Sequence, residues 1–233
     1  SGLCAGEIWR VFPGEKGVSD ADNCFAISRG KQAWQFVGDG PYSRGELSMI
    51  VVLTEEPSSA EMLKRVIPKI LPDMLPQLDL QIVEHRGIGD LKAKLPSLLR
   101  GWPGDARFIV VCDRDRRDCV EVKREILEIA KPYNRPVLVR IACEELESWY
   151  FGDLNAVSEA YGVNLDQVAK KRGYRDPDKI VDPKSKLRKL VPDLMQVEGG
   201  RLIGDSMVPE RNTSHSFTVF ADGLRRVWRD MSA

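Results

Sequence analysis

The rhythm of apolar and polar residues changes near residue 49. Through residues 1 to 48 glycine is frequent, and neither the helical nor the strand period lasts more than a few positions. From Met49 the run MIVVLTEEP reads as a buried strand broken by Pro57. SSAEMLKRVIPKILPDML then carries Met62, Leu63, Val66, Ile67, Ile70 and Leu71 at helical spacing, with Ser58 or Ser59 as N-cap. LQIVEH is a second short strand, RGIGD a turn, and LKAKLPSLLRGW a helix ended by Gly101 and Pro103. RFIVVCDRD is a third strand. CVEVKREILEIAKPY follows as an amphipathic helix with Val120, Ile126, Leu127 and Ile129 on its buried side. PVLVRIACEELESWYF begins as a fourth strand and turns helical near Glu144, which places Trp149, Tyr150 and Phe151 in the core.

Strands alternating with helices of this length predict an α/β fold with a mainly parallel sheet and helices on both faces. From about residue 154 the chain becomes helical and basic, punctuated by prolines, and closes with NTSHSF and the short amphipathic helix FADGLRRVW. Three parts are therefore expected. Residues 1–48 form a peripheral N-terminal extension, sequence foreign to the core, or an irregular arm packed on it, and Met49 is a credible start for a compact domain. Residues 49–153 form the α/β domain, and residues 154–233 a helical, basic C-terminal extension packed on it.

Composition narrows the class of function. Apolar residues make up 42% and charged residues 30%, enough for one substantial core. Lys+Arg and Asp+Glu are equal at 35 each, so any attraction to phosphate must be local. The five cysteines show no CxxC pair and read as reduced thiols of a cytoplasmic protein. No apolar run approaches the ~20 residues a spanning helix needs, so no membrane partner is expected. His85 and His215 lie far from any plausible cysteine pair, which argues against zinc.

In parallel sheets, ligands lie beyond the carboxyl ends of the strands. Three such ends carry carboxylates here: TEE, DRD and CEELE. Neighbouring ends fall within roughly 5 to 10 Å of one another, and like charges at that distance need a cation, a basic partner or a raised pKa. Arg114, Arg116 and Arg117 are the available basic partners, and Glu55 and Glu56 also suit the N-terminus of the following helix. The strand period points Asp113 and Asp115 the same way, as two oxygen ligands on one hard cation require. Oxygen ligands without histidine favour Mg²⁺ or Mn²⁺.

VVLTEEPSSAEML followed by VVCDRDRRDC resembles the Toprim pattern, in which a glutamate follows the first strand and an aspartate pair the third. Glu55 occupies the glutamate position, and Asp113 and Asp115 the aspartates. RGIGDLKAKLP, RIACEELESWYFGD, YRDPDKI, DPKSKL and NTSHSF, in this order, resemble a family of small stand-alone Toprim-like proteins of unknown function, suspected of acting beside an ATPase in antiphage defence. The resemblance covers residues 49 to about 220, and the first 48 have no counterpart in it. One departure stands out: the glycine that commonly follows the Toprim glutamate is Glu56.

The resemblance implies metal-dependent phosphodiester chemistry, as in topoisomerases, primases and the overcoming-lysogenization-defect nucleases. No tyrosine stands in the context of a topoisomerase nucleophile and no zinc ribbon is present, so a nuclease is the expected activity. Asp113 and Asp115 would hold a first cation, and Glu55 would bind metal or act as general base. Glu144 and Glu147, three apart on one helical face, would serve a second cation, with Glu145 pointing elsewhere. Between Lys170 and Lys189 basic residues outnumber acidic ones, and Lys184 is the candidate for stabilising charge on the phosphate. Asn212, Ser214 and His215 are further candidates to line the site. The expected partners are nucleic acid, a partner ATPase and a second copy of the chain. The rival expectation is a non-catalytic module that docks an ATPase.

Overall fold

A computed structural model describes residues 48–115 and 117–232. The expected N-terminal extension therefore lies, except for Ser48, outside the described residues, as do Cys4, Cys24 and Arg116. The elements run β1 (Ser48–Thr54), α1 (Pro57–Ile70), α2 (Pro76–Asp79), β2 (Leu80–Glu84), α3 (Ile88–Gly101), β3 (Asp105–Asp113), α4 (Cys119–Ala130) and β4 (Val137–Ala142). The chain continues through α5 (Glu147–Gly152), α6 (Leu154–Tyr161), α7 (Asp166–Ala169), α8 (Pro183–Leu190), α9 (Gln196–Ser206) and α10 (His215–Met231).

The four strands pair in the order β2-β1-β3-β4, all parallel, as the alternating pattern predicts. Successive side chains of a strand point to opposite faces, and the sequence uses both. Ile50, Val52, Ile109, Val111, Leu138 and Ala142 face a core shared with α1, α5, α9 and α10. Val51, Leu53, Phe108, Val110, Cys112, Val137, Val139 and Ile141 face α3 and α4. Trp149, Tyr150 and Phe151 are buried, as expected. Cys112 and Cys143 are buried free thiols, whereas Cys119 is disulfide-bonded, which corrects the reading of all five cysteines as reduced. No helix among the described residues is long and apolar enough to cross a membrane.

Several boundaries differ from the expectation. Helix α1 begins at Pro57 after Glu56, so Ser58 and Ser59 sit buried inside its first turn and do not cap it; proline suits that first position because its missing N–H would have no partner there. Helix α3 begins at Ile88, within the stretch read as a turn. On α4, Ile126 is buried as expected, but Val120 is 47% exposed, and Cys119 and Val122 join Ile126 in the core.

The C-terminal helices close one face of the sheet. Helix α9 lies directly on α1, because Gly200 and Gly204 leave no side chain between them; a Cβ on Gly200 would come within 2.3 Å of the Ser58 carbonyl oxygen. Lys69 of α1 fixes the other end of α9 by donating to the carbonyls of Gly204 (2.9 Å), Asp205 (2.6 Å) and Met207 (2.9 Å), where a helix leaves acceptors unpaired. Helix α10 is anchored at its start. Asp178 accepts from the Ser214 hydroxyl (2.7 Å), the Ser216 N–H (2.7 Å) and the Ser216 hydroxyl (2.8 Å), and the Trp149 indole donates to Ser216 Oγ (2.8 Å).

Candidate functional site

The carboxyl ends of β1 and β3 are joined by one side chain. Glu55 follows β1, is 7% exposed, and accepts the Ile88 N–H on Oε1 (3.0 Å) and the Asp113 N–H on Oε2 (3.2 Å). The loop after β2 makes this possible. The Gly87 N–H donates to the Glu55 carbonyl (2.9 Å), and Gly87 itself, at φ 94°, adopts a conformation that glycine alone takes readily before the chain enters α3. The Glu55 carboxylate thus meets the first N–H of a helix, where negative charge is favoured. Burial nevertheless raises its pKa, opposed by these two N–H groups and reinforced by Asp115 and Glu56.

Asp113 closes β3 and Asp115 lies in the turn beyond it. The expected strand geometry does not reach Asp115: β3 ends at Asp113, the Arg114 N–H donates to the Ala142 carbonyl (3.1 Å), and Asp115 turns left-handed at φ 50° while its N–H donates to the Glu144 carbonyl (3.1 Å). The two aspartates are adjacent through a turn and not through strand alternation. Neither side chain has a hydrogen-bond or salt-bridge partner among the described residues. Burial, followed by the charges of Glu147, Glu55 and Asp115, raises the pKa of Asp113 well above the usual carboxylate range.

The acidic stretch after β4 divides into three fates. Glu144 precedes the helix at φ 64° and forms an ion pair with Arg114, so it does not share a helical face with Glu147, which begins α5. Glu145 accepts the Lys184 N–H at 3.0 Å and so ties β4's loop to the start of α8. With Asp115, Glu144, Asp182 and Pro183 it lines a solvent-open cleft. Glu147 is 5% exposed, and its side chain has no hydrogen bond or ion pair to another described residue. Desolvation pushes its pKa to about 7, against the favourable charge of Lys184.

Lys184 does reach the acidic group. Its Nζ lies 3.6 Å from Glu56, which also accepts from Gln196 Nε2 (2.5 Å) and the Ser58 hydroxyl (3.4 Å). Glu56, the residue that departs from the Toprim pattern, therefore joins α1, α8 and α9. Arg117 pairs with Glu125 (2.5 Å), away from the aspartates. The buried hydroxyl of Tyr150 has no partner among the described residues and feels the charges of Glu147 and Asp113; between Trp149 and Phe151, nothing in the sequence set it apart from the core.

The expectation for NTSHSF is corrected. The Asn212 amide donates to the Trp149 carbonyl (2.9 Å) and its Oδ1 accepts the Ser214 N–H (2.9 Å). Ser214 caps α10, and His215 is exposed at the start of that helix. The motif anchors α10 through groups that are already satisfied.

The donor set can be tested against a cation. Among the described residues, no three His, Cys, Asp or Glu side chains converge as a ready cage. Asp113 is half-buried, Asp115 exposed and Glu147 buried, and none of the three makes a hydrogen bond or ion pair to another described side chain.

Comparison with curated proteins gives no match. Among solved structures the chain is similar to the C-terminal region of the Burkholderia pseudomallei OLD protein, at 13% identity and a TM-score of 0.44, over 76% of this chain and 97% of that one. The family model described as "Domain of unknown function (DUF4276)" matches residues 54–225, and the chain belongs to that family.

Proposed function

We propose that this protein is a metal-dependent nuclease that cleaves nucleic-acid phosphodiesters and serves, with a partner ATPase, as an effector of prokaryotic antiphage defence. The carrying observation is that Asp113, half-buried at the end of β3 and tied to Glu55 through its own N–H, and Glu147, 5% exposed at the start of α5, make no side-chain hydrogen bond or ion pair to another described residue. A fold retains such groups at a cost unless something else neutralises them. The resemblance of residues 49–220 to the Toprim-like family supports the choice of reaction, ATPase partner and defence role.

In this reading Asp113 and Asp115 hold Mg²⁺ or Mn²⁺, with Glu147 beside them. The ion, when bound, lowers the pKa of attacking water and offsets charge on the phosphate. Glu55 keeps the β3 end in place through the Asp113 N–H, with both its oxygens already accepting, which favours a positioning role over that of general base. Lys184 brings a positive charge to where the transition state gains negative charge. Glu144 is held by Arg114 and shapes the cleft wall.

Purified protein incubated with plasmid DNA and RNA, with Mg²⁺ or Mn²⁺ and with the partner ATPase, should cleave at least one substrate, and Asp113→Ala should lower the rate by about 10²-fold or more. Equal cleavage by both proteins, or none with any metal and partner, would sink the nuclease reading. The second reading, a non-catalytic module docking an ATPase, draws on one observation: no three ligands converge among the described residues. Metal titration separates the two. A catalytic pair binds Mg²⁺ or Mn²⁺ weakly and reversibly through Asp113 and Asp115, whereas a module whose pocket holds a cation for structural reasons loses thermal stability when either aspartate is replaced.

A further inference from the structure

Most cations of the described chain are engaged. Lys64 and Arg65 pair with Glu61, Lys92 and Arg117 with Glu125, Arg201 with Glu198, and Arg211 with Asp153. Lys69, Arg135 and Arg140 donate to backbone carbonyls. One stretch behaves differently. Lys170, Lys171, Arg172, Arg175, Lys186, Arg188 and Lys189 have no carboxylate partner within salt-bridge distance among the described residues, and all but the half-buried Lys186 are exposed. Elsewhere in the described chain such cations are scattered, as Arg86, Arg226 and Arg229 are, or lie over a ring, as Arg100 does over Tyr133.

The unpaired cations share a support. Helix α8 buries Pro183 and Leu187, packs the half-buried Leu190 against the same core, and presents its basic residues on the remaining surface. On that surface Lys184 and Arg188, four apart, form one flank, and Lys186 and Lys189, three apart, the other, with about 5–6 Å between neighbours. The second segment is tied to the same helix, α5, because Tyr174 packs on Phe151 with ring centroids 5.4 Å apart, and α8 packs on α5 as well. The acidic cleft opens at the start of α8, where Asp182 and Pro183 line it. Five residues of helix, about 7.5 Å, then carry the cations away from the cleft. That is about two phosphates along one strand of a duplex, at ~3.4 Å each.

We infer that the outer face of α8, extended by residues 170–175, is a docking track for the backbone of duplex nucleic acid, delivering one strand to the carboxylate cleft. The inference rests on the nuclease reading for the purpose of the track, and it adds the form of substrate. Duplex is favoured over single strand because single-strand tracks pair basic residues with aromatic platforms on which bases stack. Phe151 and Tyr174 pack on one another at a tilt of 31°, and Trp149 lies in the core. None of the large hydrophobic residues exposed among the described residues is aromatic. An anionic membrane surface is a poorer fit, since such a face needs apolar side chains to insert beside its cations, and α8 shows none outward.

The test is binding without cleavage. Short duplexes of DNA and of RNA, and the corresponding single strands, are titrated with the full chain in EDTA over a series of salt concentrations. The expected result is duplex binding about tenfold or more tighter than single-strand binding, with the stronger duplex naming the natural form. Lys186→Gln/Arg188→Gln/Lys189→Gln should weaken duplex binding about 10- to 100-fold and reduce the salt slope by about 2 to 3, near 0.9 for each phosphate that is no longer neutralised. Arg201→Gln, whose cation is already paired, should change neither quantity. A single-strand preference, an unchanged salt slope in the triple variant, or binding to anionic vesicles and not to duplex overturns the track. Binding as expected without cleavage under any condition would retain the track and remove the nuclease reading; cleavage unaffected by the triple variant would do the reverse.

Discussion

Two aspartates of this chain sit at opposite extremes of the same chemistry. Asp178 accepts three hydrogen bonds of 2.7 to 2.8 Å from Ser214 and Ser216, and its surroundings are complete without any ligand. Asp113 has no partner for its carboxylate among the described residues, and its nearest ionisable neighbours are other carboxylates. Both lie in motifs that the sequence singled out, YRDPDKI and CDRD. What separates them is satisfaction: the first carboxylate holds α10 to the body of the fold, and the second has no hydrogen bond or ion pair to another described side chain. The difference predicts opposite responses to neutralisation.

The largest effect is expected at the satisfied site. Asp178→Ala removes three accepted hydrogen bonds and leaves the buried hydroxyls of Ser214 and Ser216 without their main partner. Hydrogen bonds to a charged group are worth about 1.5–3 kcal/mol each and are not additive, so a loss of about 3 kcal/mol is expected. For a chain of this size that lowers Tm by about 6–12 °C in a thermal melt. A melt within about 1 °C of the parent would show that α10 is held by its apolar face alone.

Neutralising the unsatisfied site should act in the other direction. Burial lifts the Glu147 carboxyl from 4.5 to about 7, which corresponds to at most about 3 kcal/mol. Glu147→Gln should therefore stabilise the metal-free protein at neutral pH, by about 2–3 kcal/mol, because the attraction to Lys184 is already contained in the net shift. The pH dependence has a definite sign. A carboxyl whose pKa is raised on folding favours the folded state most when protonated, so this contribution is present below about 4.5 and is lost as pH rises through about 7. The parent's Tm should fall over that window in EDTA, the variant's should fall less, and Mg²⁺ should restore the parent more than the variant. Destabilisation by Glu147→Gln at neutral pH would place Glu147 with Asp178 as a structural carboxylate.

Much of this contrast was legible in the sequence, and the reason is local. A strand that is β-branched until it meets an acid announces both its end and its charge, as MIVVLTEE and RFIVVCD do. The four strands, the two faces and the meeting of Glu55 with Asp113 follow from that alone. The failures are interactions made across the chain. Glu144 is drawn into its left-handed turn beside Arg114, thirty residues earlier in the sequence, so the helix expected there starts at Glu147. Gly87 lets the chain present Ile88 to Glu55, and a stretch that reads as a turn becomes the first turn of α3. Asp178 finds its hydroxyls 36 and 38 residues away, beyond the reach of any local pattern.

Glu56 supplies the smallest and sharpest test, because it stands between the two extremes. It is partly satisfied, accepting from Gln196 (2.5 Å) and Ser58 (3.4 Å), and it also shares its charge with Lys184 at 3.6 Å. Glu56→Gln keeps the shape and an acceptor oxygen for Gln196 but removes the charge facing Lys184. A partly exposed ion pair of this kind contributes about 0–1 kcal/mol, so the expected change in stability is about 0.5 kcal/mol, within about 2 °C of the parent's Tm. Its second consequence distinguishes the two kinds of carboxylate. If Glu56 is a structural tie, the variant's affinity for Mg²⁺ should stay within about twofold of the parent's, since the cation would be held by Asp113 and Asp115 without it. A tenfold loss of Mg²⁺ affinity, measured by the metal dependence of Tm, would move Glu56 into the unsatisfied group and make the departure from the Toprim glycine an added ligand.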